Sequence, residues 1–363
     1  MKRTGIENSE SFKDNVMKNW FISLLFLYCI SYTPLNLIAQ QTPFSSSVSN
    51  VGTTAAAFLN IGVGSRANAM GGAFSAIAND ATALYWNPAG LSQCVHPVVT
   101  FNHSDWFLDI YHEFVGAVFP AGQHRFGVSL TYVGVPDQIV RTIEEPEGNG
   151  NYYNASDLML GVSYAFQFTD QFSMGFTGKY IRQAIYNSAG SAFAVDFGAM
   201  YHPSFMNWLS LGMEIANFGS TLRFSGRDID IKVDNDPKHN SNDRLPASLT
   251  TDAYPLPLVF RFGLAMKPIN TRNNRFITAF DLIHPSNNTE SVNVGAEYVY
   301  HDIISFRAGY HSLLERDFET TGGFTAGFGL QIYVQKLLIV LDYAYRDFGI
   351  LNSVNRYSLG FRF

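Results

Sequence analysis

From Val98 to Phe363 the chain alternates between apolar and polar or small positions with a period of two. Side chains of a strand point to opposite faces in turn, so this pattern predicts strands. Fourteen segments of strand length follow one another: 98–103, 112–120, 126–135, 157–168, 172–184, 191–202, 209–218, 258–267, 275–283, 291–300, 303–311, 322–334, 337–346 and 354–363. In several of them one face is aromatic or aliphatic throughout, as in Phe126/Val128/Leu130/Tyr132 and Tyr357/Leu359/Phe361/Phe363. The opposite face is small or polar, as in Gly127/Ser129/Thr131. A soluble sandwich buries its large side chains and shows polar ones to water. Here the apolar face also carries the aromatics, which suits a wall that faces lipid. The expected fold is all-β, a 14-stranded antiparallel transmembrane barrel.

The connections support this independently. Even-numbered ones are short (AGQHR, TDQ, HD, VQK), whereas odd-numbered ones include the long polar stretches 136–156 and 219–257. Short turns on one side and long loops on the other are expected of an outer-membrane barrel. The connection at 186–190 breaks the trend.

Before the wall lies a different kind of sequence. Residues 51–91 are rich in Gly and Ala, with Arg66 and Asp80 as their only charges and Trp86-Asn87-Pro88 near their end. Thr53 or Thr54 is placed to cap a short helix stopped by Gly62, Asp80 a second, and Asn87-Pro88 a third turn. These features predict a compact plug of short helices and turns over residues 41–94, inside a barrel of residues 95–363. Gly62-Val63-Gly64-Ser65-Arg66-Ala67 matches the GxGxxA form of a dinucleotide fingerprint. That motif requires a preceding strand and a βαβ unit, and neither is present in the pattern.

Residues 1–40 read as an extension followed by a signal peptide. Met17-Lys18-Asn19 opens the apolar run WFISLLFLYCI, and cleavage is expected near Ala39–Gln41. Cys29 falls in this leader, which leaves Cys94 alone and without a disulfide. Charged residues make up 15% of the chain, against roughly 25% in soluble domains. Aromatics are also 15%, more than a core of this size needs. The net charge of −6, with no basic cluster, argues against nucleic acid as a partner. The nine histidines are scattered without metal-ligand spacing, no nucleophile elbow occurs, and no cofactor, metal or enzymatic activity is expected.

The strand charges lie opposite the aromatic face: Lys179, Asp196, Glu214, Arg261, Asp281, Glu297, Arg307, Asp342, Arg346 and Arg362. A charge turned to lipid costs about 2–4 kcal/mol at mid-membrane, so these are expected to form a lumenal network. Arg261, Asp281, Glu297 and Arg307 would link four successive strands. Arg66 and Asp80 are the expected ties between plug and wall, and Trp86 is expected to pack.

The stretch from Gly62 to Leu91 resembles the amino-terminal signature of the PorV/PorQ family of outer-membrane proteins, which is related in fold to the FadL transporters. The matching residues are Gly64, Arg66, Ala69-Met70-Gly71-Gly72-Ala73, Asp80-Ala81 and Trp86-Asn87-Pro88-Ala89-Gly90. The resemblance implies a FadL-like barrel with the Asn-Pro-Ala segment in its hatch, set in outer-membrane lipid. It also implies one of two jobs. One is work in type IX protein secretion, as cargo shuttle or docking component, with the translocon, the attachment machinery and secreted cargo as partners. The other is passage of a hydrophobic small molecule held in the lumen.

Overall fold

The computed structural model describes residues 50–234, 245–313 and 322–363. The expected leader at 1–40, the start of the expected plug at 41–49 and part of the two loops 219–257 and 312–321 lie outside the described residues.

Fourteen antiparallel strands form one closed wall. They are β1 (Val98–Asp105), β2 (Tyr111–Ala121), β3 (His124–Gly134), β4 (Ala155–Gln167), β5 (Phe172–Ile185), β6 (Ser188–Tyr201) and β7 (Leu209–Gly219). The second half comprises β8 (Val259–Asn270), β9 (Asn274–Pro285), β10 (Ser291–Tyr300), β11 (Ile304–Tyr310), β12 (Phe324–Val334), β13 (Leu337–Asp347) and β14 (Ser353–Arg362). Each strand pairs with its neighbour in sequence, and β1 pairs with β14 from Val98↔Arg362 to Asp105↔Asn355. Closure removes the edges, so each strand of the wall has a neighbour on both sides for its backbone groups.

The alternation read from the sequence sets the two faces. Phe126, Val128 and Leu130 are exposed on the outer surface, while Arg125, Ser129 and Thr131 are buried within. Two irregularities interrupt the register, one between β6 and β7 at Val195/Phe197 and one between β8 and β9 at Met266/Ile269. At the first, Asn217 has a positive φ of 65°, the mark of an extra residue bulged into a ladder.

Turns are tight at one end of the barrel, as at Gly122–Gln123 and Gln335–Lys336. The other end carries the long connections. The segment after β3 pairs Gln138–Ile139 with Tyr152–Tyr153. The one after β7 folds into ladders of Leu222–Arg223 with Ala253–Tyr254 and Asp230–Val233 with Leu245–Ser248. Part of that segment, Ser225–Gly226, adds to β6 beside the two-residue turn Tyr186–Asn187. The exception in the connection pattern is thus real, and the loop-end wall is extended there by a strand from elsewhere.

Residues 50–94 pack against the inner face. Their elements are a 3-10 turn at Ala57–Asn60, one helical turn at Ser65–Ala69, another at Ala83–Trp86 and a 3-10 segment at Pro88–Gln93. Ser65–Ala69 lies against β11–β14, and Pro88–Gln93 against β3–β6. The capping expectations fare unevenly. Asn87 caps the last element as expected, its Oδ1 accepting the Ala89 N–H at 3.1 Å with Pro88 first in the turn. Neither Thr53 nor Thr54 caps the first, whose preceding residue is Ala56. The turn at Ser65–Ala69 was not anticipated. It follows Gly64, at φ 80°, rather than a strand, so the dinucleotide reading lacks its structural context.

The wall admits this insert by removing side chains where the two touch. A Cβ added to Gly212 would strike the Ser75 carbonyl, and one on Gly175 would strike Pro88. Backbone therefore lies directly on backbone at these points, and large side chains such as Phe74, Met70 and Leu84 are buried around them.

Candidate functional site

Thr82 immediately precedes the helical turn Ala83–Trp86, which no side chain caps, and Asp80 Oδ1 accepts the Thr82 N–H at 2.9 Å. Its other oxygen meets Arg66 Nη1 at 3.2 Å. Arg66 also donates to Asn79 Oδ1 at 2.5 Å and reaches the wall at Glu297, Nη2 to Oε2 at 2.7 Å. Glu297 stands opposite Arg307 in the β10–β11 register and accepts from its Nε at 2.8 Å. Arg307 Nη1 continues to Asp342 on β13 at 2.6 Å. The result is one alternating chain, Asp80–Arg66–Glu297–Arg307–Asp342, leading from insert to wall. Burial disfavours the Arg66 cation, but Glu297 and Asp80 outweigh it and hold the guanidinium charged well above its ordinary range.

The other expected wall charges fall into separate groups. Arg261 pairs with Glu214, which stands opposite it on β7, and its guanidinium lies 5.4 and 5.5 Å from the ring centres of Tyr85 and Trp86. Asp281 accepts three hydrogen bonds from the insert, from Phe74 N (3.1 Å), Ser75 N (2.9 Å) and Ser75 Oγ (2.5 Å). Lys179 pairs with Asp196 at 2.6 Å and donates to Asn217 Oδ1 at 2.8 Å, while Asp196 accepts the Asn217 N–H at 2.7 Å. This buried pair braces the β6–β7 bulge. Arg346 lies over the Phe348 ring at 4.1 Å near the loop end, and Arg362 lines a cavity near the turn end.

Two expectations need correction. Arg261, Asp281, Glu297 and Arg307 do not form one ladder across four strands. In the β8–β9 register Asp281 faces Gly263 rather than Arg261, so Arg261 turns to β7 and Asp281 to the insert. Asp80 makes no hydrogen bond or ion pair of its own with the wall among the described residues. Its carboxylate is taken by Arg66 and Thr82, and Arg66 alone carries the connection.

The remaining signature residues hold the shape of the insert. Trp86 Nε1 donates to the Val63 carbonyl at 2.9 Å. Asn87 Nδ2 donates to the Ser75 and Ala199 carbonyls at 2.8 and 3.1 Å, joining insert to β6. Gly71 has φ 68° and lies on the Tyr310 backbone, Gly72 has φ 78°, and Gly90 lies on the Ala78 carbonyl. Met70 is fully buried, and Pro88 touches the wall at Gly175.

A model of the PorV type IX secretion system protein matches residues 44–225, half of the chain and all of the described insert. The chain belongs to the PorV family. No curated protein matches it. Among solved structures it is similar to the CymD monoaromatic hydrocarbon channel, with a TM-score of 0.52 and 14% identity over 83% of this chain and 97% of that one. A Pseudomonas aeruginosa FadL homologue aligns with a TM-score of 0.52 at 13% identity, covering 83% and 98%. The Pseudomonas putida toluene transporter TodX does so with 0.52 at 12%, covering 83% and 96%. Identities this low speak to the fold: this PorV family member is a FadL-like outer-membrane barrel. PorV family proteins and FadL-like channels are non-enzymatic barrels.

Several residues of this PorV family barrel that sequence reasoning passed over prove central. Arg356 is 2% exposed, donates to the Gly62 carbonyl at 3.1 Å and lies 5.3 Å from the Trp106 ring centre. Arg125 reaches the Cys94 carbonyl at 2.7 Å. Both occupy inward positions of strands whose outer faces were read correctly, so alternation alone could have found them. On the outer face near the loop end, His103 bridges Glu113 at 2.6 Å and Asp105 at 3.0 Å. Charges cost least near the membrane interface, which is where these sit.

Proposed function

We propose that this protein serves type IX secretion as a docking barrel, engaging the translocon, secreted cargo or the attachment machinery through its long loops. The observation that carries this reading is the construction of the loop end. The connections after β3 and β7 are folded into their own ladders and present exposed apolar side chains, including Ile143, Tyr152, Leu249 and Tyr254. Exposed apolar groups on structured loops favour a protein partner.

Residues 41–94 act in this reading as a plug held by Arg66, Asn87 and Trp86 on the insert and by Glu297 and Asp281 on the wall. Export proceeds through the leader, with cleavage near Ala39–Gln41, and the loop end faces outward. Passage of a hydrophobic small molecule, the role carried in the names of the CymD hydrocarbon channel and the toluene transporter TodX, is less well supported for this chain. Beneath the insert the lumen is lined largely by charged and polar side chains.

The test replaces residues 222–254 by a short Gly-Ser turn and follows co-purification from the native outer membrane. Loss of secretion partners from a barrel that still shows heat-modifiable gel mobility is expected. Full capture and normal secretion by the shortened protein would overturn the proposal, and a lipid recovered from the lumen by native mass spectrometry would favour the carrier.

A further inference from the structure

Between the insert and the wall, on the turn side, lies a cavity of about 470 Å³. Its walls carry five cations and four carboxylates. Every carboxylate is taken. Asp80 meets Arg66 at 3.2 Å, Glu297 meets Arg66 and Arg307 at 2.7 and 2.8 Å, Asp342 meets Arg307 at 2.6 Å, and Asp302 meets Arg275 at 3.1 Å. Three cations thus engage all four carboxylates, and the five cations of the walls together exceed the carboxylates by one charge. The other two, Lys267 on β8 and Arg362 on β14, line the same cavity, and their side chains have no ion pair or hydrogen bond among the described residues.

The wall beside Arg362 is also rich in donors. Asn102 is buried, its oxygen lies 2.5 Å from Ser358 Oγ, and its amide nitrogen lacks a partner. Gly360 lies between Ser358 and Arg362 on β14, and a Cβ there would meet only ordinary contacts with Val340 and Val99. Space is therefore open in front of this donor-rich strip. An unsatisfied buried donor and two unpaired cations around one cavity are complementary to a ligand that accepts hydrogen bonds and carries negative charge. Val98, Ile277 and Phe361 add apolar surface to the same walls, which suits an organic body rather than a bare ion.

We propose that this vestibule binds a small organic anion, a carboxylate or a phosphate ester, received by Lys267 and Arg362 with the Asn102 amide as neutral donor. The site is separate from the loops and does not depend on what they dock. It lies against Arg66, so occupancy bears on the strongest tie between insert and wall.

Isothermal titration of the full-length, detergent-solubilised protein with succinate and with glycerol 3-phosphate tests this at low ionic strength. Saturable binding of at least one probe is expected, weakened by roughly ten-fold or more in Lys267→Gln/Arg362→Gln and by added salt. Gly360→Leu, which keeps every charge but fills the space, should abolish it. The probe that saturates identifies the anion class. Absence of saturable binding of both probes up to about 10 mM, or wild-type affinity in both the double variant and Gly360→Leu, would overturn the proposal. Because Gly360→Leu alters no charge and the double variant removes no existing ion pair, each checks the other, with heat-modifiable mobility confirming the folded barrel.

Discussion

Arg66 holds Glu297 with two parallel hydrogen bonds, Nε to Oε1 at 2.8 Å and Nη2 to Oε2 at 2.7 Å. This fork-to-fork contact fixes direction as well as distance. The same carboxylate also serves Arg307, so the two members of the pair are not equivalent. Glu297→Ala takes their shared carboxylate from two guanidiniums, leaving Arg66 with Asp80 and Arg307 with Asp342, and breaking a buried pair costs up to about 3–5 kcal/mol. Arg66→Ala leaves Glu297 with Arg307 and should cost less. Thermal unfolding in detergent should rank wild type above Arg66→Ala and Arg66→Ala above Glu297→Ala. The reverse order would show that the Arg66–Glu297 contact does not organise the cluster.

Asp281 organises the insert differently, through two backbone amides and one hydroxyl of Phe74 and Ser75. Asp281→Ala removes the acceptor of all three at once, and hydrogen bonds to a charged group contribute about 1.5–3 kcal/mol each. Amide hydrogen exchange at Phe74 and Ser75 should accelerate at least ten-fold while amides of the wall strands stay protected. Unchanged exchange at these two positions would refute the assignment.

Cys94 follows the last turn of the insert and is buried. Burial pushes its thiol up to about 12, so the reactive thiolate is scarce, on the order of one part in ten thousand at pH 8. In a Cys29→Ser background, maleimide should label the folded protein negligibly and the heat-denatured protein fully. Rapid labelling in the folded state would mean that this end of the insert opens to solvent.

Asp228 lies on the long connection after β7 and receives Asn187 N at 2.9 Å, Asn187 Nδ2 at 3.1 Å and Ser188 Oγ at 3.2 Å. The group is exposed; desolvation opposes its ionisation, but the Asn187 and Ser188 donors and the nearby Arg227 together hold its carboxyl below the usual range. Asp228→Ala should leave the unfolding temperature nearly unchanged but speed limited proteolysis within 222–254. Protection equal to wild type would place the anchoring of this loop in its ladders instead.

The wall was legible because strand periodicity is local. Each of the fourteen expected segments overlaps one strand of the barrel, and a residue's face follows from its parity alone. Which charges pair was not legible, since that depends on register between strands. Arg261 and Asp281 come from adjacent strands yet stand two positions apart, and only the register assigns Arg261 to Glu214. The insert was legible as a composition but not as a set of elements. Its turns at Ser65–Ala69 and Ala83–Trp86 are single turns that tertiary contacts impose, too short to nucleate alone. Arg356 is a different case. The alternation that turns Tyr357 outward on β14 turns Arg356 inward, so its face was legible, whereas its partner Gly62 lies far away in sequence and was not.

The contacts of Ser65 set an order of assembly. Its N–H is accepted by Ser358 Oγ at 2.8 Å, and the helical turn it begins rests on β11–β14. One of the first segments of the described chain to be made is therefore secured by the last. Contacts so distant in sequence are slow to form, and a chain that has not yet acquired β14 has neither the β1–β14 seam nor the Ser358 hydroxyl that receives the Ser65 N–H. Completion of the wall and final seating of the Ser65 turn become a single event, so a barrel truncated before β14 would advertise its incompleteness through a loosened start of the insert that proteases can reach.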